Sequence, residues 1–315
     1  LIEARGVSKV FGDQHALDDI DLTVQSGVIV GLIGPSGCGK TTLVRTLTGI
    51  TTPTSGQVRV FGQDPAHFGV RDRLRFGYMP QLPVLFPNLT LWGNLTFMAS
   101  MYGMPVRHRR RRLMELLELV DLVDHRNKKL ADCSGGMQRR LSLAATLVHN
   151  PELLYLDEPT AGVDPILRER FWSHFRDLRA QGRTIIVPTQ YVGEAVSCDL
   201  VAVMARGHII TVRPPTELAR VAYQGDPVAV AFDGAFVPRA ELETIRSLPF
   251  VRKVSRTDDG LIVVVDDHET QVGNLEAHLR SRGLATTSIA PHTPTFDEIF
   301  VEIIEANETE AAAAA

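Results

Sequence analysis

Gly34-Pro35-Ser36-Gly37-Cys38-Gly39-Lys40-Thr41 fits the pattern G-x-x-x-x-G-K-[ST], and its surroundings decide the fold. Residues 28–33, just before it, form a continuous apolar run, as a strand buried on both faces requires. Residues 40–50, just after it, have helical periodicity. Strand, glycine-rich loop and helix in this order make an anion site. The glycines let the backbone wrap closely around phosphate, and the amides and the helix N-terminus face it. In this reading Gly34, Pro35, Ser36, Gly37, Cys38 and Gly39 form the cradle. Lys40 reaches the β- and γ-phosphates, the Thr41 hydroxyl binds Mg²⁺, and Thr42 lies beside it.

Leu153-Leu154-Tyr155-Leu156-Asp157-Glu158 supplies the complementary half. An apolar strand ends in two carboxylates. Asp157 is placed to help hold Mg²⁺, and Glu158 to polarise an attacking water as general base. Alone, two acids after a strand are more often a turn or a helix cap. Together with the loop they read as the second half of a phosphate site.

Between these segments the pattern changes. Residues 89–102, 109–122 and 137–149 are periodic in the helical sense, with Leu113, Leu116, Leu117 and Val120 on one face. They suggest a helical insertion over about residues 88–150 of an α/β domain. Buried strands follow at 153–156 and 184–187, separated by a helix around 168–181. A closing hairpin at 201–205 and 208–212 turns around Gly207. The character changes again near residue 223. Strand, helix, strand, strand, helix, strand over 228–289 is close to the split β-α-β, ferredoxin-like order, and a last helix is expected over 296–306. The expected layout is an ATPase domain over 1–222, a small α+β domain over 223–306 and a tail over 307–315.

The chain has 315 residues, 44% of them apolar, enough for a large core. Its net charge of −4 does not favour nucleic acid as a partner. Three cysteines with no paired spacing argue against a zinc site or a disulfide framework. No apolar run approaches the ~20 residues that span a bilayer, and no signal-peptide pattern opens the sequence. It begins at Leu1 rather than Met, so an upstream start is expected.

Cys133-Ser134-Gly135-Gly136-Met137-Gln138-Arg139-Arg140 resembles the signature motif of ABC ATPases. Cys133 and Met137 stand where the family usually has Leu and Gln. A small hydroxyl and exposed amides at the start of a helix make a second anion site. Gln81, after Tyr78-Met79-Pro80, resembles the Q-loop glutamine that contacts Mg²⁺ and water. Asp164, in Ala161-Gly162-Val163-Asp164, resembles the D-loop aspartate. Phe11 resembles the aromatic residue that stacks on adenine. The resemblance covers residues 1–220 and implies a P-loop NTPase fold of the ABC cassette type, with a helical subdomain, that binds ATP and Mg²⁺. It also implies that the signature segment completes the phosphate site of a second ATPase subunit. The partners are then that subunit and a membrane-spanning permease, with the chain on the cytoplasmic face of the membrane.

Where the family usually carries a switch histidine, this sequence has Gln190, which donates a neutral hydrogen bond but carries no charge. Hydrolysis is expected to persist on Glu158, more slowly. Pro294-Thr295-Phe296-Asp297-Glu298-Ile299-Phe300 and Gln190-Tyr191-Val192-Gly193-Glu194-Ala195 resemble the drug, lipid and polysaccharide export branch. They are similar to actinobacterial antibiotic-resistance members of the daunorubicin-exporter type. The C-terminal domain is then a dimer brace or a regulatory ligand sensor. Two other functions stay open: a non-transport ABC ATPase acting on ribosome or DNA, and a nucleotide-gated regulatory subunit with little turnover.

Three further expectations concern single clusters. Cys38 and Cys133 are read either as small fillers or as reactive thiols that approach each other across a closed dimer. Arg107 to Arg112, interrupted by His108, is either a solvated helix face or a contact for anionic lipid. Leu85, Phe86, Leu89 and Trp92 are candidates for an apolar lining that meets the permease.

Overall fold

The computed structural model describes residues 1–232, 237–257 and 260–314. The chain divides into two compact units, Leu1–Pro215 and Thr216–Ala315. In chain order the first contains β1 (Ile2–Phe11), β2 (Gln14–Val24), β3 (Ile29–Ile33), α1 (Lys40–Leu47), β4 (Ser55–Val60), α2 (Val70–Arg73) and β5 (Phe76–Met79). The helices α3 (Leu91–Met101), α4 (Val106–Leu119) and α5 (Gly135–Leu147) follow. Then come β6 (Leu153–Leu156), α6 (Pro165–Ala180), β7 (Thr184–Thr189), β8 (Leu200–Ala205) and β9 (His208–Arg213).

Two sheets share this unit. One is antiparallel, ordered β2-β1-β4. The other is ordered β5-β6-β7-β3-β8-β9 and is parallel except for the β8–β9 hairpin. Every residue of β3, β6 and β7 is buried, which is why these strands read as unbroken apolar runs rather than alternating ones. Between the sheets a single core joins Ile2, Leu17 and Ile20 to Leu43, Tyr155 and Met204.

Parallel pairing has a direct consequence for function. β3, β5, β6 and β7 all finish on the same edge of the sheet. Just beyond those ends lie Gly34, Gln81, Asp157 and Gln190. The carboxyl edge of an open parallel sheet is where such folds bind ligands.

The helical insertion sits where its periodicity predicts, and Leu113, Leu116, Leu117 and Val120 are all buried. Its boundaries differ by a few residues. α4 begins at Val106, directly after Pro105, because arginine is a good helix former and the basic run joins the helix. β5 and α2 are too short to show a period, and the sequence gives no sign of them.

The second unit contains most of α7 (Pro215–Tyr223), then β10 (Asp226–Phe232), α8 (Arg239–Arg246), β11 (Val251–Thr257), β12 (Gly260–Val265), α9 (His268–Ser281), β13 (Thr286–Pro291) and α10 (Phe296–Ala314). Its sheet is ordered β11-β12-β10-β13 with every pair antiparallel. This is the split β-α-β arrangement. α10 runs past the expected end at residue 306, through the alanines of the expected tail, since alanine is the strongest helix former. Ala315 lies outside the described residues.

Tyr155 in β6 is fully buried, its ring edge-on to Phe76 at 6.1 Å. Its hydroxyl has no hydrogen-bond partner among the described residues, and burial pushes its pKa well up. Tyr155→Phe removes an unsatisfied polar group while keeping the ring. It is expected to raise the unfolding free energy by about 1 kcal/mol in urea titration. A lower stability would show that the hydroxyl is satisfied in solution.

Candidate functional site

The loop after β3 is shaped by two glycines. Gly39, at the start of α1, has φ 109°, and a Cβ there would lie 2.4 Å from the Ala16 carbonyl oxygen. At Gly34 a Cβ would lie 2.3 Å from the Met204 carbonyl oxygen and 2.6 Å from Cys38 Sγ. No side chain fits either position, so the loop closes tightly onto β2 and β8.

Lys40 is buried under this loop. Its Nζ donates to the carbonyls of Gly34 at 2.7 Å and Pro35 at 2.9 Å. Among the described residues no carboxylate forms an ion pair with it. Thr41 Oγ1 donates to Asp157 Oδ2 at 3.1 Å, across from α1 to the end of β6. Asp157 is 2% exposed. Burial holds its carboxyl above the usual carboxylate range, and the Thr41 hydrogen bond opposes that shift. A hydroxyl and a carboxylate meeting in a desolvated corner are hard oxygen donors of the kind that suits a small divalent cation.

Glu158 follows in the left-handed region, φ 50°. Its amide donates to the Pro188 carbonyl at 2.8 Å, tying the end of β6 to β7. From the end of β7, Gln190 accepts a hydrogen bond from the Ser36 hydroxyl at 3.1 Å. Its side-chain NH₂ is left to donate elsewhere.

These groups surround a cleft of about 370 Å³, within the range of small-molecule sites. Ser36, Gly37, Gly39, Lys40, Thr41 and Thr42 form one wall. Asp157, Glu158 and Gln81 form a second, and Phe11, Gln14 and Ala16 of the β1–β2 hairpin form a third. Phe11 is exposed there, with Lys9 Nζ 5.0 Å from its ring centre. A larger depression of about 660 Å³ lies along β4 and contains none of the motif residues.

Residues 17–161 match the family model described as ABC transporter. A daunorubicin resistance ATP-binding protein from Streptomyces coeruleorubidus is 36% identical over 96% of this chain and 95% of its own length. The chain belongs to the ABC transporter family. A probable multidrug ABC transporter ATP-binding protein from Escherichia coli strain K12 is 35% identical over 75% of the chain. The match spans only 41% of that longer protein. Among solved structures, a dimeric ATP-binding cassette in a post-hydrolysis state, bound to ADP and phosphate, superposes with a TM-score of 0.63 at 25% identity. It covers 68% of this chain and 99% of its own.

Not every predicted site residue of the ABC cassette joins the cleft. Gly34, Pro35 and Cys38 shape the loop without lining the cavity, and Gln190 also stands outside the lining, joined to it through Ser36. Ser134, Gly135 and Gly136 lie outside it. Ser134 caps α5 by accepting from the Met137 amide at 3.3 Å, and a Cβ at Gly135 would meet nothing within 4 Å. Asp164 also lies outside. Its carboxylate caps α6, accepting from the amides of Ile166 at 3.1 Å and Leu167 at 3.0 Å. Burial favours the small-filler reading of the two cysteines. Cys38 packs beneath the loop at 4% exposure, and burial raises the pKa of the Cys133 thiol, which donates to the Lys129 carbonyl.

One residue escapes sequence reasoning. Arg139, on α5, donates to the backbone carbonyls of Gln81, Asp157 and Glu158, each at 2.9 Å. It thus fixes the ends of β5 and β6 to the signature helix. Its partners are main-chain atoms on remote strands, which no local pattern reveals. Arg139→Met leaves three carbonyls without their charged donor. It is expected to lower stability by about 2 kcal/mol in urea unfolding. An unchanged midpoint would show that solvent replaces the guanidinium at no cost.

Proposed function

We propose that the chain is the ATP-hydrolysing subunit of an ABC exporter, powering efflux of a drug, lipid or similar amphiphile through a separate permease. The observation that carries this reading is the convergence of Lys40, Thr41, Asp157 and Glu158 on one cleft. Lys40 and the loop amides bind the phosphates of ATP. Thr41 and Asp157 hold Mg²⁺, with Gln81 at its border; when bound, the ion neutralises charge on the phosphate oxygens. Glu158 takes the proton of the attacking water. Gln190 orients the terminal phosphate through a neutral hydrogen bond, and Phe11 stacks on the adenine.

Ser134, Gly135 and Gly136 then serve the ATP of a second subunit, and Asp164 lies at that junction. The chain works as half of a pair on the cytoplasmic face of the membrane. The second unit braces the pair. A groove of about 450 Å³ lined by Tyr78, Pro80, Val84, Leu85, Met98 and Tyr102 receives the permease. Leu85 is among the groove's lining residues. Phe86 instead packs against Phe97, 4.6 Å between ring centres. Leu89 and Trp92 are half-buried beside α3. The names of the relatives support the export direction. No helix among the described residues is long and apolar enough to cross a membrane.

Single-turnover hydrolysis tests the assignment. Lys40→Ala is expected to abolish ATP binding. Glu158→Gln is expected to keep binding and slow turnover by about 10²–10⁴-fold. Removal of Mg²⁺ by chelation should stop turnover, and its return should restore it. Gln190→His should raise the rate about fivefold, the difference between a neutral and a charge-assisted hydrogen bond. A Glu158→Gln rate equal to that of the unaltered chain would favour the nucleotide-gated regulatory subunit.

A further inference from the structure

The basic run on α4 does not spread evenly round the helix. Two of its arginines turn inward. Arg109 donates to the Met104 carbonyl and to Ser100 Oγ, both at 2.8 Å, which joins the first turns of α4 to the end of α3. Arg112 donates to the Leu147 carbonyl at 2.8 Å and is 25% exposed along its side chain. The other three, Arg107, Arg110 and Arg111, are exposed. Their spacing puts them on one face of the helix. Arg111 lies 3.4 Å from Glu115. Arg107 and Arg110 have no acidic partner among the described residues. This concentration of positive charge stands out in a chain of net charge −4.

Two apolar side chains project beside these arginines. Met101 ends α3 at 67% exposure, and Val106 begins α4 at 76%. The Arg109–Ser100 hydrogen bond holds the two ends together, so the apolar pair and the arginines belong to one turn of the chain. Tyr102, in that same turn, lines the groove of about 450 Å³. Exposed guanidinium groups on the same turn as exposed apolar side chains match the headgroup region of an anionic bilayer. There the charges meet phosphate and the apolar groups enter the acyl boundary.

We propose that the α3–α4 turn is a membrane-contact element. In it Arg107, Arg110 and Arg111 engage the phosphates of anionic lipid headgroups, while Met101 and Val106 dip into the interface. The chain thus has a grip on the bilayer beyond any grip on a permease. Each arginine near such a surface contributes about a fivefold gain in partition, and three together on the order of a hundredfold. The attraction weakens with salt because the charges are solvent-exposed.

Co-sedimentation of the full chain with vesicles tests this. Binding is expected to vesicles of phosphatidylcholine and phosphatidylglycerol in equal parts, not to phosphatidylcholine alone, and to fall as salt rises. Replacing Arg107, Arg110 and Arg111 together by Gln keeps helix propensity and should cut binding roughly a hundredfold. Met101→Ser with Val106→Ser should cut it several-fold with the arginines intact. A control chain with Arg5, Arg59 and Arg71 changed to Gln carries the same net charge as the arginine triple variant and should bind like the unaltered protein. Three results would overturn the proposal: no lipid-dependent sedimentation, equal binding to neutral vesicles, or an equal loss in the control chain. Vesicle binding is read without nucleotide or permease, so its failure leaves the ATPase assignment standing. Circular dichroism of each variant separates lost contact from lost fold.

Discussion

A buried ammonium with no carboxylate ion-pair partner among the described residues governs the site. Lys40 lies beneath the glycine-rich loop, and the carbonyls of Gly34 and Pro35 accept from it. Carbonyl dipoles compensate part of a buried charge, whereas an ion pair would cancel it. The loop is therefore electrostatically unfinished, and a polyanion finishes it. Every other feature of the cleft follows from holding that ammonium in place. Gly34 and Gly39 let the loop close on it, and α1 adds its N-terminus. Asp157, which would neutralise Lys40 if it came closer, is instead engaged by Thr41.

The second constraint is mechanical. The strand ends that carry Gln81, Asp157 and Glu158 are short and would move independently if only the sheet ladder held them. Arg139 bonds the carbonyls of all three residues to α5. α5 is also the helix that Ser134 caps. A displacement of the helical insertion therefore pulls on the backbone of Asp157 and Glu158 through one guanidinium. Asn94 plays a similar part nearby. It is fully buried, accepts from the Phe86 amide and donates to the Phe86 and Thr90 carbonyls, fixing the loop that enters α3. Movement in the insertion and geometry at the cleft are thus joined by polar contacts to main-chain atoms, which have little slack.

How much of this is legible in the sequence depends on how local the cause is. The phosphate loop and the acidic strand end are legible because spacing alone fixes them. The buried strands are legible because parallel pairing demands unbroken apolar runs. The split β-α-β order of the second unit is legible because each strand and helix keeps its own period. Arg139 and Asn94 are not, since both act on backbone atoms far away in sequence. Cys38 and Cys133 are read two ways because sequence shows their neighbours and not their burial. The arginines of α4 fall between these cases. Composition shows the run, but only tertiary contacts separate Arg109 and Arg112 from the three that face outward.

The separation of Ser134–Gly136 from the cleft of their own chain bears on assembly. An N-cap hydroxyl with open space over two glycines at a helix start is a good anion site. Yet the backbone here leads it away from Lys40, and its own chain puts no phosphate cradle against it. The two features make sense as complementary halves: the ammonium of Lys40 and the amides at the start of α5 both favour an anion. In the proposed pair with a second ATPase subunit, each ATP would meet both halves at once. Closure of that proposed pair would then depend on ATP, because the nucleotide would satisfy the two sites together.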